Sequence, residues 1–338
     1  VDDSGQNLYA RRLMDPQEAQ TRRLAQARAS RRQIRRRRLA ALGSLVVVVA
    51  AIVVIAIGST GGFSSKPTAN RTAGSVKQSD HQPSTGPRST VTGTATGRPG
   101  TAPVPILMYH VIAPPPSGAA FPSLYVPQDE FTAQMQALKA AGWHAVTMDQ
   151  LEAYWKRGVP LGSPKPIVIS FDNGYHSQYA NALPVLKQLG WVGTENLQLS
   201  GLPPSQGGLT DAEIRGLVAA GWELDTQGIS HADLIGLDSS ELHSQVADAR
   251  RIIQRRYGVP VNWFSYPSGD YDASVIAEVK ADGFVGSTTV VPGWASPSQD
   301  PYRLPRLRVL GGTTPQALLA QIAAAQSASA PPESYSSG

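Results

Sequence analysis

Three short segments of the sequence carry residue types that could do chemistry. "SFDNGY" places Asp172 and Asn173 side by side after an apolar run. "ILMYHVI" contains His110, and "TQGISHADL" contains Gln227 and His231 four residues apart. A carboxylate near imidazoles could take a proton from water, hold a metal ion or return a proton to a leaving group. These segments indicate a hydrolytic or metal-binding site.

The composition limits this chemistry. None of the 338 residues is cysteine, which excludes disulfides, thiolate metal ligands and thiol nucleophiles. The net charge is +5, but residues 103 to 338 hold only 14 Lys and Arg against 20 Asp and Glu. Because nucleic-acid binding needs a basic face, we expect no nucleic-acid partner for this acidic region.

The N-terminal part of the sequence predicts a membrane anchor. Residues 1 to 38 form a basic tail with 11 Lys and Arg against 4 Asp and Glu, and the next charged residue after Arg38 is Lys66. Residues 39 to 58 are apolar and long enough to cross a hydrocarbon core of about 30 Å as a helix. The positive-inside rule places the basic tail in the cytoplasm. The prediction is a single-pass signal anchor in the cell membrane, with the rest of the chain outside.

Two other interpretations of this segment remain open. A cleavable signal peptide would use Ala56 and Gly58 as small residues near the cleavage site, although its apolar region is normally shorter. "SRRQI" is similar to a twin-arginine export signal. All three interpretations deliver the following domain to the same side of the membrane.

Two further segments are predicted to lack a fold of their own. Residues 59 to 102 are rich in Ser, Thr, Gly and Pro and hold few large apolar residues. Such a sequence cannot bury enough surface to offset its ordering entropy, so it predicts a flexible linker. Residues 329 to 338 are expected to form a disordered C-terminal tail.

Between these segments, residues 103 to 328 alternate between strand and helix patterns. "PILMYHVI" and "KPIVISFD" are typical of buried strands, and capping boxes begin helices at Thr147 and Thr210. About seven alternations predict a parallel sheet, either doubly wound or closed as a (β/α) barrel. The candidate polar residues follow strand ends, where barrels cluster their reactive groups.

With "FSYPSGDYD" added to these motifs, the chain resembles the NodB-homology polysaccharide deacetylases of carbohydrate esterase family 4. The resemblance covers roughly residues 103 to 325 and implies a distorted (β/α)7 barrel that removes acetyl groups from glycans. It also implies a catalytic Asp followed by a metal-binding Asp, with two His ligands in the pattern His-x-x-x-His. Zinc is the metal that the family implies.

Carried onto this sequence, the family pattern is altered at two metal ligands. Asp172 matches the base, while Asn173 stands at the metal-binding Asp and Gln227 at the first His; His231 matches the second. Neutral amides offer only carbonyl oxygens, so we expect a weak or absent metal site. Asp225 could replace a lost ligand, since it shares a strand face with Gln227, and so could His110 or His176.

The resemblance assigns the remaining roles. His110 would be the general acid, and Tyr175, Tyr266 and Arg306 would contact substrate. Each residue also has a structural interpretation: a hydrogen-bonded strand-end His, a carboxylate or imidazole that caps a helix, or an aromatic side chain packed beside Pro267. Arg306 and its neighbours, Arg303 and Arg308, could instead orient Asp172.

Two functions remain open at this point. The first is a membrane-anchored deacetylase that hydrolyses acetyl groups of cell-wall or capsular glycan. The second is a pseudoenzyme that binds acetylated polysaccharide or peptidoglycan without turnover. The family fold favours the first function, and the altered ligand positions favour the second.

Overall fold

The structure is a computed structural model that describes residues 94–200, 202 and 207–337. The predicted basic tail, the membrane anchor and most of the linker lie outside the described residues. Within the described part of the chain, no helix is long and apolar enough to span a membrane.

The described strands form one curled, largely parallel sheet. They are β1 Val104–Tyr109, β2 His144–Val146, β3 Pro166–Asn173, β4 Thr194–Leu197, β5 Glu223–Thr226, β6 Trp263–Ser265, β7 Gly286–Thr288, β8 Trp294–Ala295 and β9 Leu307–Arg308. Their order is β7-β6-β5-β4-β3-β1-β8, with β9 also on β1 and β2 on β3. Only β8 is antiparallel to its neighbour.

A further link joins the two sides of this sheet. Leu304 forms a parallel bridge with Thr288 of β7, and the chain then enters β9 beside β1. The α/β architecture and the curled parallel sheet fit the distorted barrel that the sequence predicted. As in other parallel barrels, the carboxyl ends of the strands meet at one end, where functional groups collect.

Helices follow most of the strands. The described α-helices are α1 Gln128–Ala140, α2 Met148–Arg157, α3 Leu183–Leu189, α4 Asp211–Ala219, α5 Ser239–His243, α6 Ala249–Tyr257, α7 Ala273–Ala281 and α8 Pro315–Ala324. The predicted capping boxes are present before α2 and α4, where Thr147 and Thr210 accept from the backbone N–H groups of Gln150 and Glu213. Each such cap contributes about 1 kcal/mol.

The sheet presents different side chains to its two faces. On the helix-facing side of β1 and β3, Tyr109 meets Phe131 of α1 edge-on at 5.1 Å, and Phe171 stacks on Trp222 at 4.9 Å. Burying each such ring contributes about 1.5–3 kcal/mol. On the opposite face, alternate positions of β3 and β4 hold Ser170, Asp172 and Asn196, all buried. The apolar contacts hold the helices on the sheet, and the polar face forms the site.

The C-terminal segment differs from the predicted disordered tail. Tyr335 pairs with Tyr271, each donating its backbone N–H to the other's carbonyl at 2.9 Å. The Tyr271 hydroxyl donates to the Pro332 carbonyl, and Asp270 accepts from the backbone N–H of Ser337. Composition alone suggested disorder, but residues 332 to 337 lie along the "YPSGDYD" segment and find backbone partners there.

Candidate functional site

A buried ion pair lies at the centre of the candidate site. The Arg306 guanidinium donates to both carboxylate oxygens of Asp172, at 2.7 Å and 2.8 Å. The two side chains are 0% and 2% exposed. Asp172 is the penultimate residue of β3, and Arg306 directly precedes β9. Because β3 and β9 both flank β1, the sheet brings these side chains together across the barrel.

Neighbouring groups complete the hydrogen bonding of this ion pair. Asn196 donates its amide to Asp172 Oδ1 at 2.8 Å. Arg306 also donates to the Ser265 hydroxyl at 2.9 Å and to the Thr289 carbonyl at 2.9 Å. A buried pair of charges is tolerated only when its remaining donors and acceptors are satisfied in this way. The arrangement fixes the orientation of the Asp172 carboxylate.

The ion pair also determines the protonation state of Asp172. Burial by itself raises the pKa of this carboxyl, but the charge and hydrogen bonds of Arg306, with His110 and Asn196, outweigh burial and lower it. Asp172 is therefore ionised at neutral pH, and a carboxylate held this firmly is a weak proton acceptor. Arg306 has no exposed surface to offer a substrate, so its placement matches the orienting alternative rather than substrate contact.

His110 stands beside Asp172 at the end of β1. Gln178 joins the two strand ends, since its amide donates to the carbonyls of both His110 and Asp172 at 2.8 Å. The Nδ1 atom of His110 is buried and has no hydrogen-bond partner. Burial lowers the pKa of His110 to about 4, although the charge of Asp172 opposes this shift. The imidazole is thus neutral at pH 7 and can accept a proton, whereas the general-acid role would require it to be protonated.

Asn173 ends β3 in an unusual backbone conformation. Its φ is 79°, in the left-handed region that Asn tolerates better than most residues. Its amide donates to Gln198 Oε1 at 3.1 Å. The other described non-glycine residues with positive φ are His231 and Ser268, at 45° and 56°. All three lie in segments that the sequence singled out, and backbone strain of this kind concentrates at functional sites.

Gln227 and His231 follow β5 on the same end of the barrel. Gln227 is 2% exposed, and its Oε1 atom is buried without a hydrogen-bond partner. His231 is half-buried, and it lies close enough to His110 to lower the pKa of His110 slightly. Gln227 therefore has a buried carbonyl oxygen near the strand ends. Of Gln227 and His231, only the imidazole of His231 is a strong zinc ligand.

The donor set does not fit the zinc site that the family implies. One imidazole and two neutral amides provide no negative charge, and the Nδ2 group of Asn173 donates to Gln198, which leaves a single neutral carbonyl oxygen on Asn173 for a metal. Among the described residues, no group of three His, Asp or Glu side chains at metal-binding distance includes Asp172, His110 or His231. We therefore assign no catalytic metal to these residues.

Two of the suggested replacement ligands, Asp225 and His176, form hydrogen bonds or ion pairs with other groups. Asp225 Oδ1 accepts from the backbone N–H groups of Asn262 and Trp263 at the start of β6, while Asp225 Oδ2 is buried without a hydrogen-bond partner. His176 is exposed and pairs with Glu213 at 2.7 Å. One oxygen of Asp225 is thus held by the β6 backbone, and His176 has a carboxylate partner outside the β-strands.

The two tyrosines predicted to contact substrate occupy different environments. Tyr175 is half-exposed just beyond Gly174, and burial, Tyr125 and Asp172 raise its pKa. It lies close enough to the ion pair to form part of the rim. Tyr266 is 0% exposed, and its hydroxyl donates to the Tyr302 carbonyl at 2.9 Å. Tyr266 thus packs in the core, as its structural interpretation proposed, and presents no surface to a substrate.

Sequence reasoning did not identify several residues of this site. Gln178, Asn196 and Ser265 all bond to Asp172, Arg306 or the strand-end carbonyls. The alternation of polar residues in "TENLQ" and "WFSYP" was the available signal. This alternation does not show which strands are neighbours in the sheet. The order of the strands determines which of these side chains form hydrogen bonds with each other.

Comparison with known proteins places this arrangement in a family. A family model described as polysaccharide deacetylase matches residues 161–286. YxkH of Bacillus subtilis (strain 168), which is named as a polysaccharide deacetylase, is 31% identical over 221 residues. The match covers 65% of this chain and 76% of YxkH.

Solved structures share the fold. The Streptococcus pyogenes deacetylase PplD, in complex with acetate, matches with a TM-score of 0.61 and 24% identity over 66% of this chain and 99% of PplD. The Bacillus anthracis protein BA0330, a polysaccharide deacetylase by name, matches with a TM-score of 0.59 and 26% identity over 66% of this chain and 69% of its own. With its barrel, its sequence motifs and the extent of the YxkH match, the chain belongs to the polysaccharide deacetylase family of NodB-homology proteins.

Proposed function

We propose that the domain binds acetylated polysaccharide of the cell wall or capsule at the barrel end that carries Asp172, without metal-assisted hydrolysis. One observation carries this proposal. The three positions that hold the metal in the family pattern are here Asn173, Gln227 and His231, which offer two neutral amides and one imidazole and no carboxylate.

The features that would bind a glycan support this proposal. Tyr175 is partly exposed three residues after Asp172, and aromatic rings are suited to pack against sugars. The buried, unpartnered atoms His110 Nδ1 and Gln227 Oε1 are an acceptor-capable imidazole nitrogen and a carbonyl oxygen, which could bond to hydroxyl or amide hydrogens of a ligand. A similar solved structure, PplD, holds acetate, which is the group that distinguishes acetylated glycans.

A second candidate function is hydrolysis of the acetyl group. The buried Asp172–Arg306 pair and the neutral His110 favour it, because they keep a charged carboxylate and a proton acceptor side by side. His110 could take a proton from the water whose oxygen bonds to the acetyl carbon, and the imidazolium, stabilised by Asp172, would return this proton to the amine or hydroxyl released when the acetyl bond breaks. Activity without a bound metal would be slow, since neither residue polarises the acetyl carbonyl.

The location of the domain is part of the proposal. Residues 39 to 58 would anchor the chain in the cell membrane, with residues 1 to 38 in the cytoplasm. The linker of residues 59 to 102 would then hold the deacetylase-type domain outside the membrane, where cell-wall and capsular glycans are found.

The test is to restore the two missing ligands. The double variant Asn173→Asp/Gln227→His and the parent are assayed for zinc content, acetate release and binding of N-acetylated chitooligosaccharide and peptidoglycan. We expect the parent to bind glycan and release no acetate. The double variant should retain zinc and release acetate, and each single variant should gain much less because two strong ligands make a weak site.

Two results would oppose the proposal. A parent that releases acetate as fast as the double variant would establish the hydrolase function instead. A parent that binds no acetylated glycan would remove the binding function. Mass spectrometry of the parent is the necessary control, because the Asn173–Gly174 sequence can deamidate and supply an Asp at position 173.

A further inference from the structure

A second cluster of potential metal ligands lies on the helical layer, between α5 and α7. His243 is the last residue of α5; Glu278 lies in the last turn of α7, and Asp282 follows that helix directly. The Nδ1 atom of His243 is 2.7 Å from Glu278 Oε1 and 3.6 Å from Asp282 Oδ1. One ligand atom from each residue lies within 4.8 Å of the others.

The two carboxylates of this cluster repel each other. Glu278 and Asp282 are four residues apart, and like charges at this spacing repel on a helix. Both lie at the C-terminal end of α7, where the helix dipole disfavours negative charge. Burial and the charge of Glu278 raise the pKa of Asp282. Its side chain is 11% exposed, and its Oδ2 atom is buried without a hydrogen-bond partner.

The nearby arginines are engaged with other groups. The Arg250 guanidinium donates to the backbone carbonyls of Val261 and Asp282. Arg251 forms its ion pair with Asp248 on its own helical segment. Among the described residues, His243 is therefore the basic side chain that contacts both carboxylates directly. The Oδ2 atom of Asp282 has no hydrogen-bond partner and remains available to a ligand.

We propose that His243, Glu278 and Asp282 bind one divalent first-row transition metal ion, with Zn²⁺ as the representative ion. One imidazole nitrogen and two carboxylate oxygens are a typical three-ligand protein set for zinc, and water would complete a tetrahedron. Zinc lies about 2.0–2.2 Å from such atoms, so neighbouring ligands are separated by about 3.3 Å. The observed separations of 2.7 Å and 3.6 Å are each within about half an ångström of this spacing.

The ion would act as a structural link. Its two positive charges would balance the two carboxylates and replace their mutual repulsion with attraction. Because the ligands come from two helices, the metal would hold α5 against α7 on the outside of the β5–β7 part of the sheet. This site shares no residue with the glycan site, so the inference does not rest on the proposed function.

The test is zinc binding by the full chain, purified without a metal-binding tag and measured by calorimetry and by thermal unfolding with Zn²⁺ alone. We expect one zinc ion per chain and a higher Tm in its presence. His243→Ala should weaken binding at least 100-fold, and Glu278→Gln and Asp282→Asn should each weaken it 10- to 100-fold.

Two control variants separate this site from other histidines. His176 makes the same 2.7 Å contact with a carboxylate, Glu213, but the described residues offer it no third ligand. His176→Ala and His231→Ala should therefore leave zinc binding unchanged. Loss of binding in His231→Ala with retention in His243→Ala would place the ion at the strand ends and overturn the inference. Binding that survives all of these variants, or no binding by the parent, would also overturn it.

Discussion

At the scale of single residues, the feature that defines this site is a charge pair with almost no access to water. Removing two charges from water costs several kcal/mol per ion, and Asp172 and Arg306 recover this cost through two short hydrogen bonds to each other. Asn196 and Ser265 satisfy further positions of the pair. The same contacts that stabilise the ion pair make Asp172 a poor base. The Asp172 carboxylate is therefore held ionised and in a fixed orientation by its hydrogen bonds.

The buried pair leads to a prediction about stability. Arg306→Ala leaves the Asp172 carboxylate buried without its counter-ion, so the free energy of unfolding should fall by about 3–5 kcal/mol. Denaturant titration would measure the loss. Arg308→Ala is the matched control, because Arg308 lies two residues away and is exposed; its effect should stay within about 0.5 kcal/mol. Equal losses in the two variants would contradict the role of the ion pair.

The residue types of this site could be predicted from the sequence, but their pairing could not. Asp172, His110 and His231 stand in recognisable segments, and all three lie at the strand ends. Arg306 was one of three arginines at alternate or nearby positions, and nothing local distinguishes it from Arg303 or Arg308. The distinction comes from the sheet order, because the side chain of Arg306 enters the barrel while Arg308 faces solvent.

At the scale of elements, the polar side chains on and directly after β5 have different surroundings although they share one face. Glu223 and Asp225 of β5 and Gln227, which directly follows the strand, stand at alternate positions and so share a face. Gln227 lies at the site, while Asp225 bonds to the backbone at the start of β6 and Glu223 accepts from the backbone N–H of Asp149. Predicting Asp225 as a replacement ligand was reasonable from the shared face. In the structure, one carboxylate oxygen of Asp225 is taken up by the β6 backbone, which leaves the other oxygen without a partner.

The carboxyl groups of β5 predict an unusual dependence of stability on pH. Burial raises the pKa of Asp225 to about 7 and raises the pKa of Glu223 as well. The folded chain thus retains protons that the unfolded chain releases near pH 4, and the free energy of unfolding should fall as pH rises from about 4 to about 7. Denaturant midpoints measured between pH 5 and pH 8 should show this fall in the parent.

The variant Asp225→Asn tests the cause of that pH dependence. Asn can still accept from the β6 backbone but cannot ionise, so the fall in stability between pH 5 and pH 8 should become smaller. Asp129→Asn, which changes an exposed carboxylate in the first turn of α1, should leave the fall unchanged. A parent whose stability increases over this range would refute the assignment of raised pKa values.

At the scale of the whole molecule, the predictions for the described domain can be compared with the structure, whereas those for the N-terminal residues rest on the sequence. The alternation of strands and helices predicted the α/β fold, because period-two and helical patterns are local and survive in any tertiary context. The C-terminal tail was misjudged, because residues 332 to 337 hold few apolar groups and are ordered by backbone bonds to a distant loop. The membrane anchor rests on sequence alone: a charge-free run behind a basic cluster.

The anchor leads to a prediction for the intact protein in cells. If residues 39 to 58 cross the membrane with the basic tail inside, protease added to intact cells should remove the domain that follows residue 59. An epitope placed within residues 1 to 30 should be spared until the membrane is permeabilised, because the positive-inside rule keeps that segment in the cytoplasm. Immunoblots against both parts would follow the cleavage.

The variant in which Arg35, Arg36, Arg37 and Arg38 are all replaced by Ala is the informative control, since weakening the basic flank should reduce the fraction of correctly oriented chains. A domain protected in intact cells would exclude the extracytoplasmic location, and with it access to cell-wall or capsular glycan.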